Sequence, residues 1–144
     1  MTKLPNDQPC PHCGRYKNRR IAVDPIVIKD DKILLIKRNV EPFKDYWGTP
    51  GGGIDWNETA EEAVKREVHE EAGVTVTSVR FLQVYTKPDR DPNQVITLAY
   101  EVHAEGETKA GSDAKEAQWF DINNLPLPLA FDQEKIISDY LKNK

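Results

Sequence analysis

Glu67, Glu70 and Glu71 are the residues of this chain best placed to do chemistry, because they interrupt an otherwise regular apolar pattern. Between Thr59 and Ala72 the spacing is that of an amphipathic helix. With Ala60 at zero and about 100° per residue, Val64 falls near 40°, Val68 near 80° and Ala63 near 300°, which defines the apolar face. Glu62, Lys65, Arg66 and His69 fall at roughly 140–240°, the solvent side. On the same wheel Glu67 falls near 340°, Glu71 near 20° and Glu70 near 280°. Two carboxylates therefore stand at the centre of the apolar face and a third flanks it. A Glu-rich helix is ordinarily a solvated surface, but here other residues already occupy the solvent side. Glu67 and Glu71 are also a like-charge pair four residues apart, which costs a few tenths of a kcal/mol even in water. Burying such carboxylates unpaired costs about several kcal/mol each. The wheel turns Arg66, the nearest cation in sequence, away from them. A divalent ion is the economical compensation. Hard oxygen donors on one helix face suit magnesium or manganese, with waters and substrate oxygens completing the octahedron.

The elements around this helix can be read in outline. Thr59-x-x-Glu62 is a capping box at its start, and Gly73 stands where a left-handed C-terminal cap belongs. Before it, Glu41 to Gly53 reads as a loop ending in Thr49-Pro50-Gly51-Gly52-Gly53, where consecutive glycines allow backbone to approach a ligand closely. Ile26–Ile28 and Ile33–Ile36 flank Lys29-Asp30-Asp31-Lys32 as a hairpin. Strands are expected at Val74–Val76, Val79–Thr86, Val95–Val102 and Gln118–Asp121. Two prolines make Lys87 to Pro92 a loop. A terminal helix is expected from Phe131 to Leu141. Strands mixed with two helices give an α/β fold with a mixed sheet between helices.

The 144 residues fit one domain, with 38% apolar and 31% charged residues and a formal net charge of -4. No basic block points to nucleic acid. No apolar run reaches the roughly 18 residues that span a membrane. The polar stretch from Met1 to Pro9 lacks the apolar core of a secretory signal, so a cytoplasmic location is expected. Residues 1–20 read as a short arm and 21–144 as the main domain. The arm carries Cys10-Pro11-His12-Cys13-Gly14, half of a zinc-ribbon pattern. A reduced surface pair, a zinc site completed by His12 or a second subunit, and a redox pair all remain open readings.

Gly52, Glu58 and Arg66-Glu67-Val68-His69-Glu70-Glu71-Ala72-Gly73-Val74 also agree, in type and spacing, with every fixed position of the Nudix box. The chain from about Ile21 onward resembles the Nudix α/β/α sandwich. This resemblance implies that Glu67, Glu70 and Glu71 bind divalent ions, with the Gly51 carbonyl as a further ligand. It implies that Arg66 pairs with Glu58 and orients the acids. The implied reaction is hydrolysis of the diphosphate bond of a nucleoside diphosphate derivative, because bound metal neutralises the anhydride and acidifies a water. The proton acceptor would be Glu70, Glu67 or a later acid, for which Glu116 is the candidate.

Within the family, Pro88 to Pro92, Gly111-Ser112-Asp113-Ala114 and Leu129-Ala130-Phe131-Asp132 resemble segments of ADP-ribose pyrophosphatase-like members. Ser112 stands where an acid is often seen, and Gln133 where a histidine is often seen. The expected products are AMP and ribose 5-phosphate. NADH, nucleoside triphosphates and dinucleoside polyphosphates are alternative substrates, and a non-catalytic nucleotide-sugar sensor is an alternative role. Tyr46 and Trp47 are candidates for stacking on a base, and Arg90 for holding phosphate. ADP-ribose-type relatives imply a homodimer.

Overall fold

Aliphatic residues on both faces of Ile21–Lys29 make it a central strand, and the computed structural model places it there. The structure describes residues 9–11, 14 and 18–144. This first strand, β1, turns through Asp30, in left-handed conformation at φ 58°, into β2 (Lys32–Arg38). The hairpin is held only at its turn, by the pairs Ile28–Ile33 and Lys29–Lys32. Further back along β1, a different segment takes over that edge. Gly52 and Gly53 form a short strand opposite Val23 and Ala22. The expected loop from Glu41 to Gly53 thus contains two strands, β3 (Trp47–Gly48) on β2 and β4 (Gly52–Gly53) on β1. Glycine in β4 is set by close approach rather than by turn geometry.

The other edge of β1 pairs in parallel with β6 (Ile96–Glu105), which pairs antiparallel with β5 (Thr75–Tyr85). The two strands expected between Val74 and Thr86 are one, with register shifts between Val76 and Ser78 and between Phe81 and Gln83. The last strand, β7 (Ala114–Asp121), starts earlier than Gln118 and covers β2. The loop at Pro88–Arg90 is a single 3-10 turn. Parallel and antiparallel pairs together make the sheet mixed.

Helices close both faces. Val64, Val68 and Ala72 of α1 (Ala60–Ala72) pack with Val23, Val27, Leu34 and Ile36 on one side. Ile136, Ile137 and Tyr140 of α2 (Gln133–Lys142) pack with Ile26, Ile28, Ile33 and Leu35 on the other. Alternating strand residues thus feed two separate cores. Among the described residues no helix is long and apolar enough to cross a membrane.

A buried polar knot ties these layers. Asp24 Oδ1 accepts from Thr49 Oγ1 (2.8 Å) and Gln133 Nε2 (3.1 Å), and its Oδ2 accepts from Thr97 Oγ1 (2.7 Å). Gln133 Oε1 in turn accepts from the Thr49 amide at 3.0 Å. The knot fixes β1, β6, α2 and the loop entering the glycines relative to one another. It also explains Gln133, whose amide needs both a donor and an acceptor here. Removing the carboxylate leaves several buried donors unpaired. Asp24→Ala is therefore expected to lower unfolding free energy by about 3 kcal/mol or more in urea titration, with an unchanged slope.

Candidate active site

The carboxylates are carried by a helix whose ends are fixed by its own sequence. Thr59 Oγ1 accepts from the Glu62 amide (3.1 Å), and Glu62 Oε1 accepts from the Thr59 amide (3.0 Å). Gly73 ends α1 at φ 75° with its amide on the His69 carbonyl. The following loop closes over this end: the Lys109 amide donates to Ala72 O (2.8 Å) and the Gly111 amide to Glu71 O (3.3 Å). The glutamates therefore project from a turn whose carbonyls are already satisfied.

Their exposure follows the wheel. Glu71 is 4% exposed, deep in the apolar face. The Glu67 side chain is 13% exposed and that of Glu70 43%. The glycine loop lies directly against them. The Gly51 amide donates to Glu71 Oε1 at 3.3 Å. A Cβ on Gly52 would stand 2.8 Å from the Glu67 carboxyl carbon, so a side chain there would displace that carboxylate.

Arg66 departs from the expectation of the wheel. Its Cα is on the outer side, but the long side chain reaches back to the acids. Nε and Nη2 grip Glu58 at 2.7 and 2.9 Å, Nη1 reaches Glu67 Oε1 (2.7 Å) and Glu70 Oε2 (3.3 Å), and Nη2 also binds Gly53 O (3.0 Å). Glu58 is held from its other side by the Asp55 amide at 2.8 Å. The Arg66 guanidinium holds the Glu58 carboxyl well down, at about 2, against the opposing effect of burial. The guanidinium itself is pushed up, chiefly by its hydrogen bonds to Glu58.

Arg66 does not touch Glu71. Burial first, then the Glu67 carboxylate, push Glu71 up to about 9, while the Gly51 amide and nearby Asp113 act as smaller opposing and reinforcing influences. Burial and the Glu67 carboxylate thus favour the neutral form of Glu71, which a bound cation would oppose. These all-oxygen donors fit a hard divalent ion. Among the described residues no three acidic, histidine or cysteine side chains converge on a closed cage. An open arrangement of one or two carboxylates with water and substrate oxygens is the pattern such an ion accepts.

Several expected residues lie elsewhere. Glu116 pairs in register with Lys37 and forms an ion pair with it at 3.5 Å. That position faces α2, because the neighbouring pair Ile36–Ala117 packs toward α1. Glu116 therefore points to the opposite face of the sheet from α1 and is paired there with Lys37. Asp113, two positions before Lys115, is an acid whose charge reaches Glu71, and in the sequence it is marked only by the Gly111–Ala114 segment that contains it. Arg90 is not open to phosphate either. Its side chain is 5% exposed, forked onto Asp132 at 3.0 and 2.9 Å and bound to Val95 O. Trp47 packs edge-on against Phe120 with ring centroids 4.8 Å apart, which is core packing. Tyr46 is 39% exposed and meets only Phe43 edge-on at 5.3 Å among the described rings. Cys10 is a half-buried free thiol, whereas His12 and Cys13 lie outside the described residues. Nothing in the structure explains Ser112, which is exposed at φ 52°.

Comparison with known proteins agrees with this geometry. The family model of the NUDIX domain matches residues 18–140. The ADP-ribose pyrophosphatase of Methanocaldococcus jannaschii is 52% identical over 131 residues, covering 90% of this chain and 77% of that protein. The NUDIX domain of Shewanella oneidensis NrtR, solved with ADP ribose, superposes with a TM-score of 0.81 at 26% identity, covering 89% of this chain and 90% of that one. A bifunctional NMN adenylyltransferase/ADP ribose pyrophosphatase of Francisella tularensis, solved with AMP and a Mn ion, gives a TM-score of 0.80 at 29% identity. The match covers 88% of this chain but only 42% of the Francisella protein. With the family model running through nearly all the described residues and the box acids standing on α1, this chain belongs to the Nudix family and is a pyrophosphohydrolase.

Proposed function

We propose that this Nudix pyrophosphohydrolase cleaves ADP-ribose with water to AMP and ribose 5-phosphate, using magnesium or manganese. The observation that carries the reading is the 52% identity to an ADP-ribose pyrophosphatase along 90% of the chain, joined to an intact set of box acids. Nudix hydrolases use divalent metals, which fits the oxygen-only donor set. Glu67, Glu71 and the Gly51 carbonyl are the groups proposed to hold the ion. When bound, the ion supplies charge neutralisation on the anhydride and a more acidic water.

The chain's own residues divide the remaining work. Glu67 is pinned between Arg66 and the Gly52 backbone, so its carboxylate is fixed in place. Glu70 has one longer contact to Arg66 and stands open to solvent. A base must reach the water and shed its proton again, and Glu70 is the acid free to do so. Glu58 acts through Arg66, holding the guanidinium in the plane that aims Glu67 and Glu70.

Incubation with ADP-ribose and Mg2+, followed by chromatography of the products, tests the reading: AMP and ribose 5-phosphate in equal amounts support it, and an intact substrate alongside turnover of another nucleotide defeats it. Glu70→Gln is expected to lower kcat about 100-fold or more while leaving the melting temperature within a few degrees of wild type. The Glu58–Arg66 pair gives a distinct pH signature. Because the folded carboxyl lies below its ordinary value of 4.5, the stability it adds is complete above that pH and fades as the pH falls toward 2. Urea unfolding across pH 2–6 is expected to show this loss in wild type and a shallower loss in Glu58→Gln.

A further inference from the structure

All the N–H donors of Arg66 are already engaged by Glu58, Glu67, Glu70 and the Gly53 carbonyl. A diphosphate arriving at this strongly acidic site finds no hydrogen-bond donor left on that guanidinium. Arg90 is buried on Asp132, and Arg19 is spent on the carbonyls of Gln94 (2.6 Å) and Thr86 (2.9 Å). Arg38 donates to Pro42 O (2.8 Å) and lies over the Phe131 ring at 5.1 Å. Arg20 differs from all of these. It is exposed, and its guanidinium forms no hydrogen bond or ion pair with any described residue.

Arg20 is nevertheless held in place. Its carbonyl accepts from the Ile96 amide at 2.9 Å, anchoring its backbone just ahead of β1. Its guanidinium meets Gly53 with the Nε–Nη2 edge, filling the space that a side chain would take: a Cβ there would be 2.6 Å from Arg20 Cζ and closer still to Nε and Nη2. Successive strand residues face opposite ways. Gly52 turns toward α1 and meets Glu67, so Gly53, one step on, turns toward the α2 side. By the same alternation Arg20 shares its side with Ala22 and Asp24. Asp24 lies 3.7 Å from Arg90, which lines a cavity of about 490 Å3 together with Phe43, Pro88, Phe131 and Asp132. Gly53 touches both neighbourhoods: its carbonyl accepts from Arg66 of the acid site, and it pairs with Ala22, two residues before Asp24.

We propose that Arg20 is a substrate-binding residue, clamping the diphosphate of a nucleoside diphosphate derivative against the glycine loop. This rests on the diphosphate-hydrolase reading but not on ADP-ribose being the preferred compound. Packed against the glycine and unpaired among the described residues, the guanidinium keeps its donors available, and a planar fork of donors is what phosphate oxygens accept in pairs. Gly53 has a matching role, since any side chain there would push the clamp away.

The test measures binding and turnover separately. Calorimetry with the uncleavable α,β-methylene analogue of ADP-ribose in Mg2+, and initial rates with ADP-ribose, are compared for wild type, Arg20→Ala, Arg20→Lys, Gly53→Ala and the Arg20→Ala/Gly53→Ala double variant. Arg20→Ala is expected to raise both Kd and KM about tenfold or more, with a much smaller change in kcat. Arg20→Lys is expected to recover part of this. Gly53→Ala is expected to weaken binding similarly, and the double variant to be no worse than the singles, because both remove the same contact. A Kd for Arg20→Ala within twofold of wild type, or fully additive effects in the double variant, overturns the proposal. If wild type instead prefers another diphosphate, the ADP-ribose reading fails, and the same comparison on that compound still decides the role of Arg20.

Discussion

Two carboxylates four residues apart on the buried side of one helix repel each other, and much of the surrounding structure exists to hold them there. Arg66 offsets the repulsion on one side only. It gathers Glu58, Glu67, Glu70 and the Gly53 carbonyl into one planar contact and leaves Glu71 without a cation. Among the described residues Glu71 then has one donor, the Gly51 amide, inside an apolar wall. A buried carboxyl so placed takes up either a proton or a metal ion. We propose that this uncompensated carboxyl is the functional feature.

The support for that arrangement comes from the far side of the sheet. Thr49, two residues ahead of Gly51, is tied to Asp24 and Gln133, so α2 sets the height of the loop over α1. Arg90 and Asp132 continue the same knot outward. The face bearing α1 thus carries the acids, and the face bearing α2 carries the structure that aims the glycines at them. This division accounts for the burial of polar groups at Asp24, Thr97 and Gln133, which touch no acid of α1.

Much of this was legible in the residues. The capping box, the Gly73 cap and the inward acids follow from spacing alone, because helical periodicity leaves few choices. The hairpin at Asp30 and the mixed α/β architecture were equally readable. What the sequence hid were matters of reach and of tertiary context. A wheel records where Cα–Cβ bonds point, and Arg66 has a side chain long enough to return to the other face. Gly52 and Gly53 pair with β1, and Glu67 and Arg20 occupy the space their side chains would take; none of these contacts is local. Glu116 lies on the α2 side by strand alternation, opposite Ala117, and which face it takes depends on a pairing with β2 that is not local in sequence. Arg90 reads as a phosphate contact in a loop and is forked onto Asp132 within the fold, while Gln133, read only as a departure from a family histidine, is a buried tie to Asp24.

The central claim is that a divalent cation replaces the proton on a buried, uncompensated Glu71. Thermal unfolding of metal-free protein, with and without Mg2+ or Mn2+, tests it when wild type is compared with Glu71→Gln. The account predicts that either ion raises the wild-type melting temperature and that the shift largely disappears in the variant, which without metal is at least as stable as wild type. An equal shift in both proteins, or none in wild type, would contradict it.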